Sequence, residues 1–337
     1  MLKVGDYVRV KDQEFCNKSK YSWNNKMSEY CDQVFKIKMI MEHYSNWYKL
    51  EGCTCGGVNG DGYWNFDHYP AVGVEGSRPC VIFAFGGAFA RGTKADAGYL
   101  PYFKALTEAG YDVVSIDYRK HLAKGINTSG LKGAIITMKN AVEYAAEDML
   151  AATKVVLDNA AKWNIDTSKI VACGSSAGAI TALQAEYMIC NGDKRAEALG
   201  EFNYAGVVSF AGAIFSVSGK PKWDSEPCPV LLFHGNADSN VPYNKASAMG
   251  VGFFGSKFLC KQFEKMDTPY WFYSAHYRDH SMAGDPMYVN LEEIKAFIDR
   301  VVVKGEKLQI VQQVVDAKHP KTKTRFSVKE YLGSNYK

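Results

Sequence analysis

A chain of 337 residues that is 47% hydrophobic and 23% charged has the composition of an ordinary globular protein, large enough for one big α/β domain with additions or for two domains. Its net charge of +4, with the basic residues scattered, argues against a nucleic-acid partner, and no apolar run reaches the length of a membrane span. The nine cysteines are an odd number spread over the whole length, which is the usage of reduced thiols rather than of a disulfide framework.

Residues 1–70 differ in character from the rest of the chain. Alternating runs at 4–10 and 34–40, with short aromatic runs at 47–50 and 63–66, predict small strands separated by glycine-rich turns. This predicts a small β-rich module over 1–70, although residues 66–70 also suit the second strand of the next domain. Charges occupy the place where a signal peptide needs its apolar centre, so a cytoplasmic location is expected of the chain as written. Cys16, Cys31, Cys53 and Cys55, with His43 and His68, raise a zinc hypothesis. Their spacing lacks paired Cys-x2-Cys knuckles and favours plain thiols.

From Arg78 the pattern becomes strands alternating with helices, the mark of a mainly parallel sheet. Buried strands are predicted at 80–85, 113–116, 170–173, 207–210, 230–233 and 270–275. Helices are predicted at 100–109, stopped by Gly110, and through a long stripe formed by Met138, Val142, Ala145, Met149, Ala152 and Val156. Leu291, Ile294, Phe297, Ile298 and Val301 mark a closing amphipathic helix. These elements place a catalytic domain at 71–304. Residues 305–337 read as a lysine-rich extension with one alternating run at 308–315.

The chemistry centres on Gly174-Ser175-Ser176-Ala177-Gly178, a G-x-S-x-G string after a short apolar strand and before a run of small helix-forming residues. Strand, tight turn and helix is the setting in which this string forms a nucleophile elbow. Ser176 is then the nucleophile, and the N–H of Ala177 at the helix start faces a developing oxyanion. A serine nucleophile needs a base, and the base needs an orienting acid. The string His234-Gly235-Asn236-Ala237-Asp238 follows a buried strand and supplies Asp238 as the acid. His276 and His280 both qualify as the base. Placement in the loop before the closing helix favours His280, and Asp279 beside it is a candidate for tuning it. The remaining histidines, His234 among them, read as packing or surface residues. Gly86-Gly87-Ala88 directly after the first central strand offers the amides of Gly87 and Ala88 to the same oxyanion. No metal or organic cofactor is expected.

Residues 78–303 resemble the α/β-hydrolase superfamily, and within it the esterase/lipase-like branch that includes feruloyl and acetyl esterases of polysaccharide breakdown. The strings Arg78-Pro79-Cys80-Val81-Ile82-Phe83-Ala84-Phe85-Gly86-Gly87, Val114-Ser115-Ile116-Asp117-Tyr118-Arg119 and Gly174-Ser175-Ser176-Ala177-Gly178 carry the likeness. One departure stands out: the histidine of the family's H-G-G-G string is Phe85 here. The opening Val4-Gly5-Asp6-Tyr7-Val8-Arg9-Val10 resembles SH3-like modules. The hydrolase resemblance implies a mainly parallel sheet covered by helices on both faces. It also implies a serine esterase acting on a small-molecule ester, with acetyl or hydroxycinnamoyl groups on carbohydrate alcohols as the expected substrates. Phe85, Phe89 and Tyr243 are candidates to stack on a sugar or phenolic ring. A peptidase of the same fold and a non-catalytic interaction protein on this scaffold are the other two readings.

Overall fold

Strands that are buried on both faces read as unbroken apolar runs, and here they build the middle of one eight-stranded sheet. The computed structural model describes residues 66–123, 125 and 130–321, together with the backbone of short strands at Tyr7–Arg9, Val34–Lys36, Tyr48–Lys49 and Tyr63–Trp64. The strands of the described region are β1 (Phe66–Tyr69), β2 (Arg78–Ala84), β3 (Asp112–Ile116), β4 (Ile165–Ser175), β5 (Gly206–Phe210), β6 (Ala213–Ser216), β7 (Val230–Gly235), β8 (Lys245–Ala248), β9 (Val251–Gly255), β10 (Tyr270–His276) and β11 (Gln309–Val315). The large sheet has the order β11-β10-β7-β5-β4-β2-β3-β1. All its pairs are parallel except β1 with β3. β5 and β7 are buried at every residue.

Both edges of this sheet lie outside the expected 71–304 span. β1 pairs antiparallel with β3, Phe66 opposite Ile116, so residues 66–69 form an edge of the large sheet. β11 pairs with β10 from Gln309 opposite Tyr270 to Val315 opposite His276, so the alternating run expected in the C-terminal extension is an edge strand. Its alternation reflects an edge exposed on one face.

Six helices complete the description: α1 (Leu100–Glu108), α2 (Gly130–Trp163), α3 (Ala177–Cys190), α4 (Ser256–Lys265), α5 (Pro286–Val289) and α6 (Leu291–Phe297), the last continuing as a wider turn through Val303. The expected stripe of α2 is buried from Met138 to Val156. α3 is buried on nearly every side, as its small residues permit. A separate antiparallel sheet, β6-β9-β8, and helix α4 occupy sequence whose pattern predicts no element. β8 reads Lys-Ala-Ser-Ala and is mostly exposed, so neither propensity nor apolar patterning announces it.

At the β1 edge, His68 Nε2 lies 2.6 Å from Asp112 Oδ2, and Arg78 Nε donates to Asp112 Oδ1 at 2.7 Å. Ala71 N–H reaches the same carboxylate at 3.0 Å. Burial alone would push the Asp112 carboxyl up, but these bonds hold it down at about 2. His68 is thereby committed to an edge-strand anchor rather than to a metal.

The chain divides into two compact units, Met1–Lys49 and Leu50–Lys337. In the first, Tyr7–Arg9 pairs antiparallel with Val34–Lys36. The SH3-like reading otherwise lies outside the described residues, as do Cys16, Cys31, His43, Cys53 and Cys55 of the zinc hypothesis. Among the described residues no His, Cys, Asp and Glu cluster is arranged to hold a metal ion, and no helix is long and apolar enough to cross a membrane.

Candidate active site

Four strands deliver the site from one edge of the sheet, the carboxyl edge where α/β folds place their ligands. β4 ends at Ser175, and Ser176 begins the turn into α3 with φ 51° and ψ −114°, a conformation that non-glycine residues rarely adopt. The elbow is tight because its glycines have no room for side chains. A Cβ on Gly174 would meet the Gly178 carbonyl oxygen at 2.2 Å, and one on Gly178 would meet that of Ala84 at 2.0 Å. The strained turn lifts the Ser176 hydroxyl out of the sheet, and Ser176 N–H is held by the Phe210 carbonyl at 2.8 Å.

Ser176 Oγ lies 2.8 Å from His280 Nε2, and His280 Nδ1 lies 2.7 Å from Asp238 Oδ2. With the Nδ1 proton donated to Asp238, Nε2 is free to accept from the serine hydroxyl. The other carboxylate oxygen, Asp238 Oδ1, accepts from the N–H groups of Asn240 at 2.8 Å and Val241 at 2.9 Å. Burial works against the charge on Asp238. Hydrogen bonds from His234 and His280 outweigh it and hold the carboxyl well below the usual carboxylate range.

His276, the other base candidate, lies away from this chain of contacts and takes Asn236 as its partner at 3.3 Å. Asp279 accepts from Ser281 N–H at 3.0 Å and so caps the short turn His280–Ala283. The cap fixes the start of the turn that carries His280.

The loop after β2 brings Gly86 beside Ser176: a Cβ on Gly86 would meet that of Ser176 at 3.4 Å. Gly87, at φ 132°, has its carbonyl turned to accept from Ala90 N–H at 3.0 Å and Arg91 N–H at 3.1 Å. Ala88 and Phe89 come next at φ 55° and 57°, both left-handed without being glycine. Three successive residues in that region mark a loop whose shape is imposed by its surroundings. Ala177 opens α3, so its N–H has no intrahelical acceptor.

The aromatic expectation fails for two of its three residues. Phe85 and Phe89 are fully buried, and Phe85 stacks on Tyr118 with ring centroids 4.4 Å apart. They turn inward because the bend after β2 sends both rings against the core. Neither is available to a ligand. Tyr243 remains half-buried, its hydroxyl 2.6 Å from Ser274 Oγ.

Two residues next to the site carry no chemical role in the sequence reading. His234 is completely buried. Its Nδ1 meets Ser256 Oγ at 2.8 Å, and its Nε2 lies 3.2 Å from the Val241 carbonyl and 3.3 Å from Asp238 Oδ2. The signal is present in the chain, since His234 heads the string that ends at Asp238. Asn236 staples the acid loop to the histidine loop: its N–H donates to the Ala275 carbonyl at 3.0 Å, and its side-chain oxygen accepts from Tyr277 N–H at 2.6 Å. No sequence signal marks Tyr277, whose φ of 61° that bond helps to hold.

Residues 66–214 match the BD-FAE family model, a span that includes Ser176 and ends before Asp238 and His280. No curated protein sequence matches the chain. Among solved structures, Thermogutta terrifontis esterase 2 phosphonylated by cyclosarin superposes with a TM-score of 0.52 at 16% identity, over 77% of this chain and 95% of that one. Its apo form gives 0.51 at 18% identity, over 73% and 91%. A truncated carbohydrate esterase from gut microbiota gives 0.52 at 16% identity, over 78% and 99%. At such identities the superpositions speak for the fold, and the family match speaks for the chemistry of the segment that holds the elbow. The fold is that of the α/β-hydrolases, and the likeness of residues 66–214, under half of the chain, to the BD-FAE family supports a carboxylic ester hydrolase.

Proposed function

We propose that the chain cleaves esters of small acyl groups through a covalent acyl-serine formed on Ser176. His280 Nε2 takes the hydroxyl proton as Ser176 Oγ attacks the carbonyl carbon, and Asp238 orients and stabilises the imidazolium. The amides of Gly87, Ala88 and Ala177 hold the oxyanion. His280 returns the proton to the departing alcohol. Water then repeats the sequence, releasing the acid and restoring Ser176. The observation that carries this reading is the unbroken chain from Ser176 through His280 to Asp238, with contacts of 2.8 and 2.7 Å, on a strained elbow.

The substrates are acetyl or hydroxycinnamoyl esters of carbohydrate alcohols. Similarity to a carbohydrate esterase supports this class. Of the three expected aromatics, Phe85 and Phe89 are fully buried and Tyr243 is half-buried. The catalytic unit is assigned to residues 66–315, bounded by the two edge strands. Hydrolysis of p-nitrophenyl acetate by wild type and Ser176→Ala tests the mechanism. A loss of about 10⁴-fold or more is expected, and equal rates would overturn it. Acetylated xylan and methyl ferulate, set against tributyrin and longer triglycerides, test the substrate class. A preference for long chains would reject it.

A further inference from the structure

Phe85, at the root of the oxyanion loop, has no side chain that can hydrogen-bond, yet the loop holds three successive residues in the left-handed region. Something else has to hold it. The Phe85 carbonyl and the Gly86 N–H belong to one peptide group and point to opposite sides of it. Tyr118 Oη donates to that carbonyl at 2.8 Å, and Tyr99 Oη accepts from that N–H at 3.1 Å. One plane is thus gripped at both ends by two phenol hydroxyls, one residue ahead of Gly87.

Both tyrosines are themselves fixed. Tyr118 is buried, stacks on Phe85, and lies at the end of β3. Tyr99 ends a short turn whose start is capped by Asp96, and its ring packs on Phe83 at 4.8 Å and Phe103 at 6.1 Å. Ser175 Oγ donates to the Ala283 carbonyl at 2.8 Å. Tyr99 thus holds the oxyanion loop, while Ser175, the residue before Ser176, is tied to the turn that carries His280.

We propose that Tyr99 and Tyr118 are positioning residues that clamp the Phe85–Gly86 peptide and aim the amides of Gly87 and Ala88 at the acyl oxygen. The proposal rests on the oxyanion assignment given above. The clamp is not needed to bind the ground-state ester. It matters when the carbonyl oxygen moves and gains charge, because the amides must already point at its new position.

Tyr99→Phe and Tyr118→Phe each remove one hydroxyl and keep the ring. A donor that touches the oxyanion is worth about 100-fold or more in kcat, so a group acting one peptide away is expected to give about 10-fold. KM for p-nitrophenyl acetate should stay unchanged. Affinity for an alkyl boronic acid, which forms a tetrahedral adduct with the serine, should fall by the same factor as kcat. Because both hydroxyls hold one plane, the double variant should lose little more than the worse single variant. Melting curves separate orientation from folding, since a purely structural role lowers the melting temperature and leaves the kcat of the folded enzyme intact. If Tyr118→Phe does not fold, Tyr99→Phe decides alone by the same readouts. Wild-type kcat and boronate affinity in Tyr99→Phe, with Ser176→Ala inactive, would overturn the clamp and leave the triad standing. Full activity in Ser176→Ala would overturn both.

Discussion

Two histidine–aspartate pairs sit on opposite flanks of the same sheet, at nearly the same distance. His280 meets Asp238 at 2.7 Å and His68 meets Asp112 at 2.6 Å, and both carboxylates are fully buried. In both, hydrogen bonds overcome burial and keep the acid ionised. The difference is the third partner. The free nitrogen of His280 faces a serine hydroxyl at 2.8 Å, and the imidazole keeps 21% of its side chain exposed. Asp112 faces Arg78 at 2.7 Å, while the His68 ring is 4% exposed and packs against Trp163 at 4.5 Å. A histidine–carboxylate contact is therefore chemically neutral information. It reads as catalysis where its far side holds a nucleophile and a route to solvent, and as an anchor where it holds a permanent cation and an indole.

Substitutions at the two aspartates should separate these roles most sharply. Asp238→Asn leaves the shape intact but offers His280 the wrong hydrogen-bonding group, and kcat on p-nitrophenyl acetate should drop by about 10⁴-fold. A fall of less than about 10-fold would remove Asp238 from the mechanism. Asp112→Asn should leave kcat alone and cost stability. Arg78 would keep its charge in a buried place without its counter-ion, which costs about 3 kcal/mol, or about 4 °C in melting temperature for a chain of this size. Thermal melts and steady-state kinetics on one preparation check both halves. Loss of activity without loss of stability would reverse the comparison.

Acid adds a second handle on the same pair. The Asp112 carboxyl titrates near 2 in the folded state against 3.8 as its ordinary value, so the folded state releases that proton more readily than the unfolded one. Its contribution, about 2 kcal/mol, is complete above roughly pH 4 and disappears as the pH falls toward 2. Asp112→Asn should flatten that part of the stability profile, measured by urea unfolding across the range. The smallest effect is expected from removing residues 1–58, which contain neither pair. Ester hydrolysis should persist, and an inactive or insoluble product would place that segment in the catalytic unit.

The elements that read correctly from the chain are those whose physics is local. A four-residue apolar strand, two glycines and a serine specify the elbow. The buried run at 230–233 with a short polar loop after it brings in Asp238. His280 is separable from His276 because a loop after a strand end reaches over the sheet and a strand end does not. What escapes depends on distant partners. β9 pairs with β6 across a long separation, and β8, which joins only through a tight turn to β9, carries little apolar pattern. β11 shows its alternation plainly, but nothing in Gln309–Val315 says which strand it joins. Phe85 and Phe89 look like ligand aromatics until the bend after β2 turns them inward. The tyrosine clamp needs residues 85, 86, 99 and 118 to meet, and no window of sequence contains that meeting.

The staple formed by Asn236 bears on how the enzyme can change over generations. A Cβ on Gly235 would strike the Arg278 carbonyl oxygen at 2.1 Å, and Asn236 bonds the backbone on either side of His276. The loops that carry Asp238 and His280 are thus laced together by main chain, with no slack to absorb an inserted residue. The β8–β9 turn is the opposite case, with Met249 89% exposed at its tip. Lineages descending from this chain should show length variation at that tip and constant spacing from Gly235 to Asp238 and from His276 to His280. Length changes at that turn would leave the Asp238 and His280 loops untouched.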